Sequence, residues 1–374
     1  MKTPNSERVH IAIFGNCNSG KSSLINAITG EQTALVSDIA GTTTDTVKRA
    51  VELPNIGAAL LIDTPGLDDN TPLGSLRTEQ SRKALMQTDI AIVLLPVKDE
   101  FLAQIHSLEI PIIRVTPKAD IATEIYEDSI AVSATTGSGI DSLITAIAGC
   151  CEQNNRYITE GVCNDGDTVV LVMPQDSSAP KGRLIKPQVE VIRELLDRGC
   201  SVICCQPERL QDTLLSLTTP PQAVITDSSA FAVVKPLVPQ GVRLTSFSIL
   251  FAAYKGDIEL FREGAKHLLS LPPTARILIA EACSHTPQNE DIGRVKLPRL
   301  LRKKLGESVT IETVSGSDFP ADLTPYDIVI HCGACMFTRR YVLSRIAQAK
   351  AQGVAMTNYG VAIAALLGIE TEKY

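Results

Sequence analysis

Val9-His10-Ile11-Ala12-Ile13-Phe14-Gly15-Asn16-Cys17-Asn18-Ser19-Gly20-Lys21-Ser22-Ser23-Leu24 is the stretch that decides the fold. The apolar run Val9–Phe14 reads as a buried strand, and Ser22–Thr29 continues with helical spacing. Between them, Gly15 to Ser22 matches G-x-x-x-x-G-K-[ST] in the strand–turn–helix context that this motif needs. The glycines let backbone N–H groups turn inward, and the helix N-terminus favours negative charge, so the loop is built for phosphate. Asn16, Asn18, Ser19, Gly20, Lys21, Ser22 and Ser23 are the expected contacts. Lys21 is expected on the β- and γ-phosphates and Ser22 on Mg²⁺.

Four further segments follow in order, each read at a strand end or in a polar loop. Gly41-Thr42-Thr43-Thr44-Asp45 offers a threonine for Mg²⁺. Asp63-Thr64-Pro65-Gly66 offers a carboxylate for a Mg²⁺ water and a glycine N–H for the γ-phosphate. Lys118-Ala119-Asp120 places a carboxylate that can accept from both guanine N1–H and N2–H, which adenine does not present. Ser133-Ala134-Thr135 can offer a backbone N–H to guanine O6. One such tetrapeptide means little; five in sequence are specific.

This series resembles the small GTPases of the translation-factor-like class over about 150 residues. Leu67 stands where Ras-type proteins carry a water-orienting Gln. Asn18 stands where the potassium-activated members carry a K⁺-coordinating Asn; the plain alternative is turn chemistry, at which Asn is good. The switch loop is similar to the GTTRD loop of that group, with Thr44 replacing Arg, and by that resemblance Thr43 holds Mg²⁺. The resemblance thus implies Lys21, Thr43, Asp63 and Gly66 as catalytic residues, with K⁺ and Mg²⁺ as cofactors. One departure is Pro117 in the place of the guanine motif's Asn. Pro has no side-chain donor for guanine N7, so GTP is still expected over ATP, with looser affinity.

The rest of the chain alternates strands and helices, the pattern of α/β folds with parallel sheets. We expect three consecutive α/β domains, the first a P-loop small-GTPase fold with a mostly parallel sheet. Their bounds are 1–160 for nucleotide binding, 165–265 for dimerisation or docking, and 270–374. A polar stretch, 152–167, reads as a linker. Within the second block the helix at Pro187–Arg198 is expected to bury Val191, Ile192, Leu195 and Leu196 on one face. No internal repeat is evident.

The chain has 374 residues, with 44% apolar and 21% charged, which excludes wholesale disorder. With no Trp, 7 Tyr and 8 Phe, a stacked-ring platform for carbohydrate or single strands is not expected. A net charge of −7 weighs against an electrostatic nucleic-acid binder. No apolar run approaches the roughly 20 residues that span a bilayer, so no membrane partner and a cytoplasmic location are expected.

Ten cysteines are too few for a disulfide scaffold of this length. Cys283-Ser284-His285 and His331-Cys332-Gly333-Ala334-Cys335 each follow a strand, where open α/β sheets place ligands. Cys332 and Cys335 can chelate one metal or cluster, Gly333 easing the bend, with Cys283 a third thiolate and His285 or His331 a possible fourth ligand. A redox dithiol, a zinc site of three Cys and one His, and core cysteines are the alternatives. Cys200, Cys204 and Cys205 read as filler on or beside a buried strand.

A GTPase domain, a middle block without a site and this cysteine block together resemble the FeFe-hydrogenase maturation GTPases, the HydF family. The resemblance implies a homodimer or tetramer and a 4Fe–4S cluster on Cys283, Cys332 and Cys335. It also implies a scaffold that receives a diiron precursor from the radical-SAM maturases HydE and HydG and delivers it to apo FeFe-hydrogenase. GTP hydrolysis would gate partner interaction. The competing readings are a potassium-activated GTPase of tRNA modification or ribosome assembly, and a zinc-bearing regulatory GTPase.

Overall fold

The computed structural model describes residues 8–30, 37–39, 47–68, 80, 81, 83–152, 156–175, 184–282, 292–316, 318–335 and 337–369. They form two compact units, 1–155 and 156–374. The first is built on a seven-stranded sheet. Its strands are β1 (Val9–Gly15), β2 (Ser37–Ile39), β3 (Val47–Leu53), β4 (Gly57–Asp63), β5 (Ile90–Leu94), β6 (Ile112–Pro117) and β7 (Ile130–Val132). The order is β2-β3-β4-β1-β5-β6-β7; β3 runs antiparallel to both of its neighbours, and the other pairs are parallel.

The sequence supports this placement. β1 is central and apolar on both faces, as strands covered on two sides must be. Ile11 and Ile13 pack with Leu24, Ile25 and Ile28 of the helix Lys21–Ile28 and with Leu143 and Ile147 of the helix Ile140–Glu152. Ala12 and Phe14 face the other way, towards Leu85 and Ile105. Each such buried side chain contributes about 1.5–3 kcal/mol. That anchors the loop after β1 against a rigid layer.

The second unit holds two four-stranded sheets, all parallel. The first has β8 (Thr168–Val172), β9 (Ser201–Cys205), β10 (Ala223–Thr226) and β11 (Arg243–Ser246), in the order β11-β10-β8-β9. The other has β12 (Arg276–Glu281), β13 (Thr310–Ser315), β14 (Ile328–His331) and β15 (Ala355–Asn358), in the order β13-β12-β14-β15. Both sheets thus place their second strand outside the first and send the third to the first strand's other edge. This repeated topology has no sequence periodicity behind it, which is why no repeat was expected.

Three expectations are corrected. Residues 156–167 are not a linker: Ile158, Val162 and Cys163 are buried in the core of the β8 sheet. The Glu194 carboxylate accepts from Ile158 N–H (2.5 Å), Thr159 N–H (2.8 Å) and the Thr159 hydroxyl (2.6 Å), fastening the segment to the helix Lys186–Asp197. On that helix Val191 and Leu195 are buried, but Leu196 is 57% exposed. β9 is an edge strand, so Cys204 is exposed and only Cys200 is fully buried as filler.

Candidate functional site

The loop after β1 is shaped by two glycines. Gly20 takes φ 99°, the left-handed region that a side chain disfavours, and caps the helix Lys21–Ile28. Gly66 is dictated by close approach: a Cβ there would lie 2.2 Å from Cys17 Sγ and 2.9 Å from Cys17 N. β4 therefore delivers Asp63 and Gly66 directly onto the phosphate loop.

Lys21 is buried (8% exposed), and its ammonium donates to Gly15 O (3.0 Å) and Asn16 O (2.8 Å). Burial pushes its pKa down, partly opposed by the Asp63 charge. The Ser22 hydroxyl donates to Asp63 Oδ2 at 2.5 Å, so the two expected magnesium-shell residues already meet. Asn16 Nδ2 is spent on Pro96 O (3.0 Å). Asn18 has φ 58°, the left-handed conformation that Asn tolerates, and its carbonyl accepts from Lys118 Nζ (2.9 Å). Thr43 and its loop lie outside the described residues.

Beside the loop opens a cavity of about 220 Å³, lined by Ser19, Gly20 and Ser23 on one side and Pro117, Lys118, Asp120 and Ala134 on the other. The structure thus gathers Lys118, Asp120, Ala134 and Thr135 around one hollow. Pro117 ends β6 and makes that stretch of wall apolar. Ser133 is fully buried and serves its own loop: its N–H donates to Ser138 O (2.9 Å), and its hydroxyl accepts from Thr136 N–H (3.2 Å). Ala134 and Thr135, not Ser133, face the cavity.

Sequence reading missed Asp68. Its Oδ1 accepts from the Cys17 N–H at 2.6 Å, which holds the carboxyl below its usual range. No motif marks this residue; it lies just beyond Gly66 and is found only once the fold brings it to the loop.

The second constellation lies at the carboxyl ends of β12 and β14. These neighbours are where the strand order reverses, the position at which open α/β sheets bind ligands. Cys332 Sγ accepts from Ala282 N–H (3.0 Å) and Ala334 N–H (3.4 Å). Burial raises the Cys332 thiol pKa, and these two backbone donors, which favour thiolate, offset part of the rise. The left-handed residue of the turn is Ala334, φ 48°, rather than Gly333. The buried Lys255 ammonium, at the end of the helix Phe247–Lys255, clamps this loop by donating to Ala334 O (3.0 Å), Phe337 O (2.7 Å) and Cys335 O (3.4 Å).

His331 is fully buried with both ring nitrogens engaged. Nδ1–H donates to Cys332 O (2.6 Å), and Nε2 accepts from Arg345 Nη1 (2.9 Å). Burial and the Arg345 charge lower its pKa to about 3. This neutral ring has no lone pair left for a metal, so His331 leaves the ligand set in this arrangement. Cys283 and His285 lie outside the described residues. Among the described residues no cluster of three or more His, Cys, Asp or Glu is placed to hold a metal. The two described cysteines nevertheless fit a soft, thiolate-preferring group: a short C-x-x-C turn, and amide donors on one sulfur.

Residues 158–256 match the model for the hydrogen maturase F dimerization domain, and residues 259–372 the model for its tetramerization domain. The chain belongs to the hydrogen maturase F family. Residues 10–119 match the 50S ribosome-binding GTPase model. The tRNA modification GTPase MnmE of Acidiphilium cryptum is 33% identical over 144 residues, 38% of this chain and 32% of that protein. MnmE of Endomicrobium trichonymphae is 35% identical over 174 residues, 40% of this chain and 38% of that protein. This chain spans about a third of the length of those relatives. Era of Aquifex aeolicus bound to GDP and AlF4⁻ has 18% identity, covering 53% of this chain and 93% of that one, with a TM-score of 0.32. The maturase F domains carry the dimer or tetramer assembly of the family. No helix among the described residues is long and apolar enough to cross a membrane.

Proposed function

We propose that this chain hydrolyses GTP and uses its nucleotide state to time a scaffold for iron–sulfur cargo in FeFe-hydrogenase maturation. The observation that carries the scaffold half is the Cys332–Cys335 turn. It sits at the strand-order reversal of a maturase F domain, with Cys332 Sγ accepting two backbone N–H groups. Cys283, Cys332 and Cys335 would hold a 4Fe–4S cluster, and a cluster with three cysteine ligands supplies a position where a diiron precursor can be carried. HydE and HydG are the proposed donors and apo-hydrogenase the acceptor, with the chain acting in the cytoplasm.

In the first unit each residue has a derivable task. Lys21 neutralises the β- and γ-phosphates, since its ammonium already lies against the loop carbonyls. Ser22 and Asp63 share the magnesium shell, with Thr43 completing it. Gly66 meets the γ-phosphate through its N–H, its lack of a Cβ letting it pack directly against Cys17 of the phosphate loop. Asp120 selects guanine. Asn18 takes the potassium position, and its left-handed backbone is equally accounted for by turn chemistry. The MnmE likeness covers 38–40% of this chain.

The test is anaerobic analysis of iron and acid-labile sulfide on the purified chain, before and after reconstitution. The wild type is expected to carry about four of each. Cys332→Ser and Cys335→Ser should lose most of both while still binding GTP. Zinc in place of iron, or full iron in either variant, would overturn the assignment.

A further inference from the structure

Arg345 is 4% exposed, on the helix Arg339–Ala351. Its guanidinium donates to His331 Nε2 (2.9 Å), to Gly316 O (2.8 Å) and to the Tyr341 hydroxyl. It lies over the rings of Phe319 (4.3 Å) and Tyr341 (4.4 Å). Every one of these partners is uncharged. No carboxylate among the described residues pairs with it, although burying an unpaired cation costs several kcal/mol. Cation–π contacts return only part of that cost.

The location gives the missing charge a place. Arg345 is two hydrogen bonds from the backbone of Cys332, through a histidine that accepts on Nε2 and donates Nδ1–H to Cys332 O. A neutral histidine in this tautomer is required by the guanidinium, which can only donate. The same cysteine offers its sulfur to two amides. A thiolate-bound iron–sulfur group is net anionic and becomes more so on reduction.

We propose that the Arg345 guanidinium is the fixed counter-charge for the anionic group bound at Cys332 and Cys335, and the residue that, through His331, positions the Cys332 backbone. The proposal rests on the cluster reading above. It makes Arg345 a positioning residue, and it makes the apo form the one that carries the electrostatic cost.

Three full-length proteins test it: wild type, Arg345→Met, which fills the slot between the rings without charge, and Arg345→Lys, which keeps the charge. In the apo form, R345M gains apolar packing in place of a buried ion but leaves His331 Nε2, Gly316 O and the Tyr341 hydroxyl without their donor, so it should be less stable than wild type, and R345K should recover part of that loss. After reconstitution, redox titration followed by electron paramagnetic resonance should show the R345M cluster harder to reduce. Its reduced-to-oxidised ratio at fixed potential should fall about tenfold, which is about 59 mV for a one-electron couple. R345K should stay within twofold of wild type. An unchanged R345M potential, or an R345K shift equal to that of R345M, would each overturn the proposal. A wild type that takes up no iron would instead remove the cluster reading, and this inference with it.

Discussion

Lys255→Met removes the clamp on the cysteine loop without changing any cysteine. The lysine is 5% exposed, and its ammonium donates to Phe337 O at 2.7 Å and Ala334 O at 3.0 Å, with a weaker contact to Cys335 O at 3.4 Å. A hydrogen bond from a charged donor is worth about 1.5–3 kcal/mol. The two short ones give roughly 3–6 kcal/mol. Removing a buried ammonium relieves part of its desolvation, so the net loss should be roughly 2–4 kcal/mol. That places the variant in the upper range for single substitutions, where a broken buried network is the cause. Opening of the 332–337 loop would become more frequent by about a hundredfold, since 1.4 kcal/mol is a factor of ten. Urea unfolding of the apo chain measures the first number, and thiol labelling of Cys332 and Cys335 under native conditions measures the second. A loss below about 1 kcal/mol with unchanged labelling would show that the carbonyls find other donors and that the clamp argument is wrong.

Asp120→Asn should weaken GTP binding by roughly a hundredfold, because two charge-assisted bonds to guanine are lost. Xanthosine triphosphate should suffer less; fluorescence titration of both nucleotides checks this, and an equal loss would remove Asp120 from base selection. Hydrolysis rates in KCl should exceed those in NaCl several-fold for wild type, and Asn18→Ala should abolish the difference. A potassium effect that survives the substitution would leave Asn18 as a turn residue only.

The nucleotide half was legible because phosphate binding is a local property. Five short segments each carry their chemistry within a few residues, and the strands that present them are read from apolar runs. What sequence could not supply there were contacts between segments. Asp68 on the Cys17 N–H joins two loops 51 positions apart. Ser133 was expected near the base, yet its polar atoms are consumed by its own turn. The antiparallel strand β3 was also missed, because Val47-Lys48-Arg49-Ala50-Val51-Glu52-Leu53 has an irregular polar pattern that only pairing with β4 stabilises.

The cysteine half was legible as residues and not as an environment. Strand-end placement followed from alternating strands and helices, and C-x-x-C spacing from a count. Burial did not: His331 looked like a ligand and is a neutral spacer between Arg345 and Cys332. Likewise, 152–167 looked like a linker because it is polar, while Ile158, Val162 and Cys163 enter a core.

The linear order of residues was enough to determine the phosphate-loop fold and the three-sheet α/β plan. These depend on backbone turns and periodicities that span a few residues. Tertiary structure alone decided which charges are buried and what they face. Lys255 and Arg345 are ordinary basic residues on ordinary helices until packing removes water from them. Once dry, an ammonium and a guanidinium must each find acceptors, and the ones they find lie in or beside the Cys332–Cys335 turn.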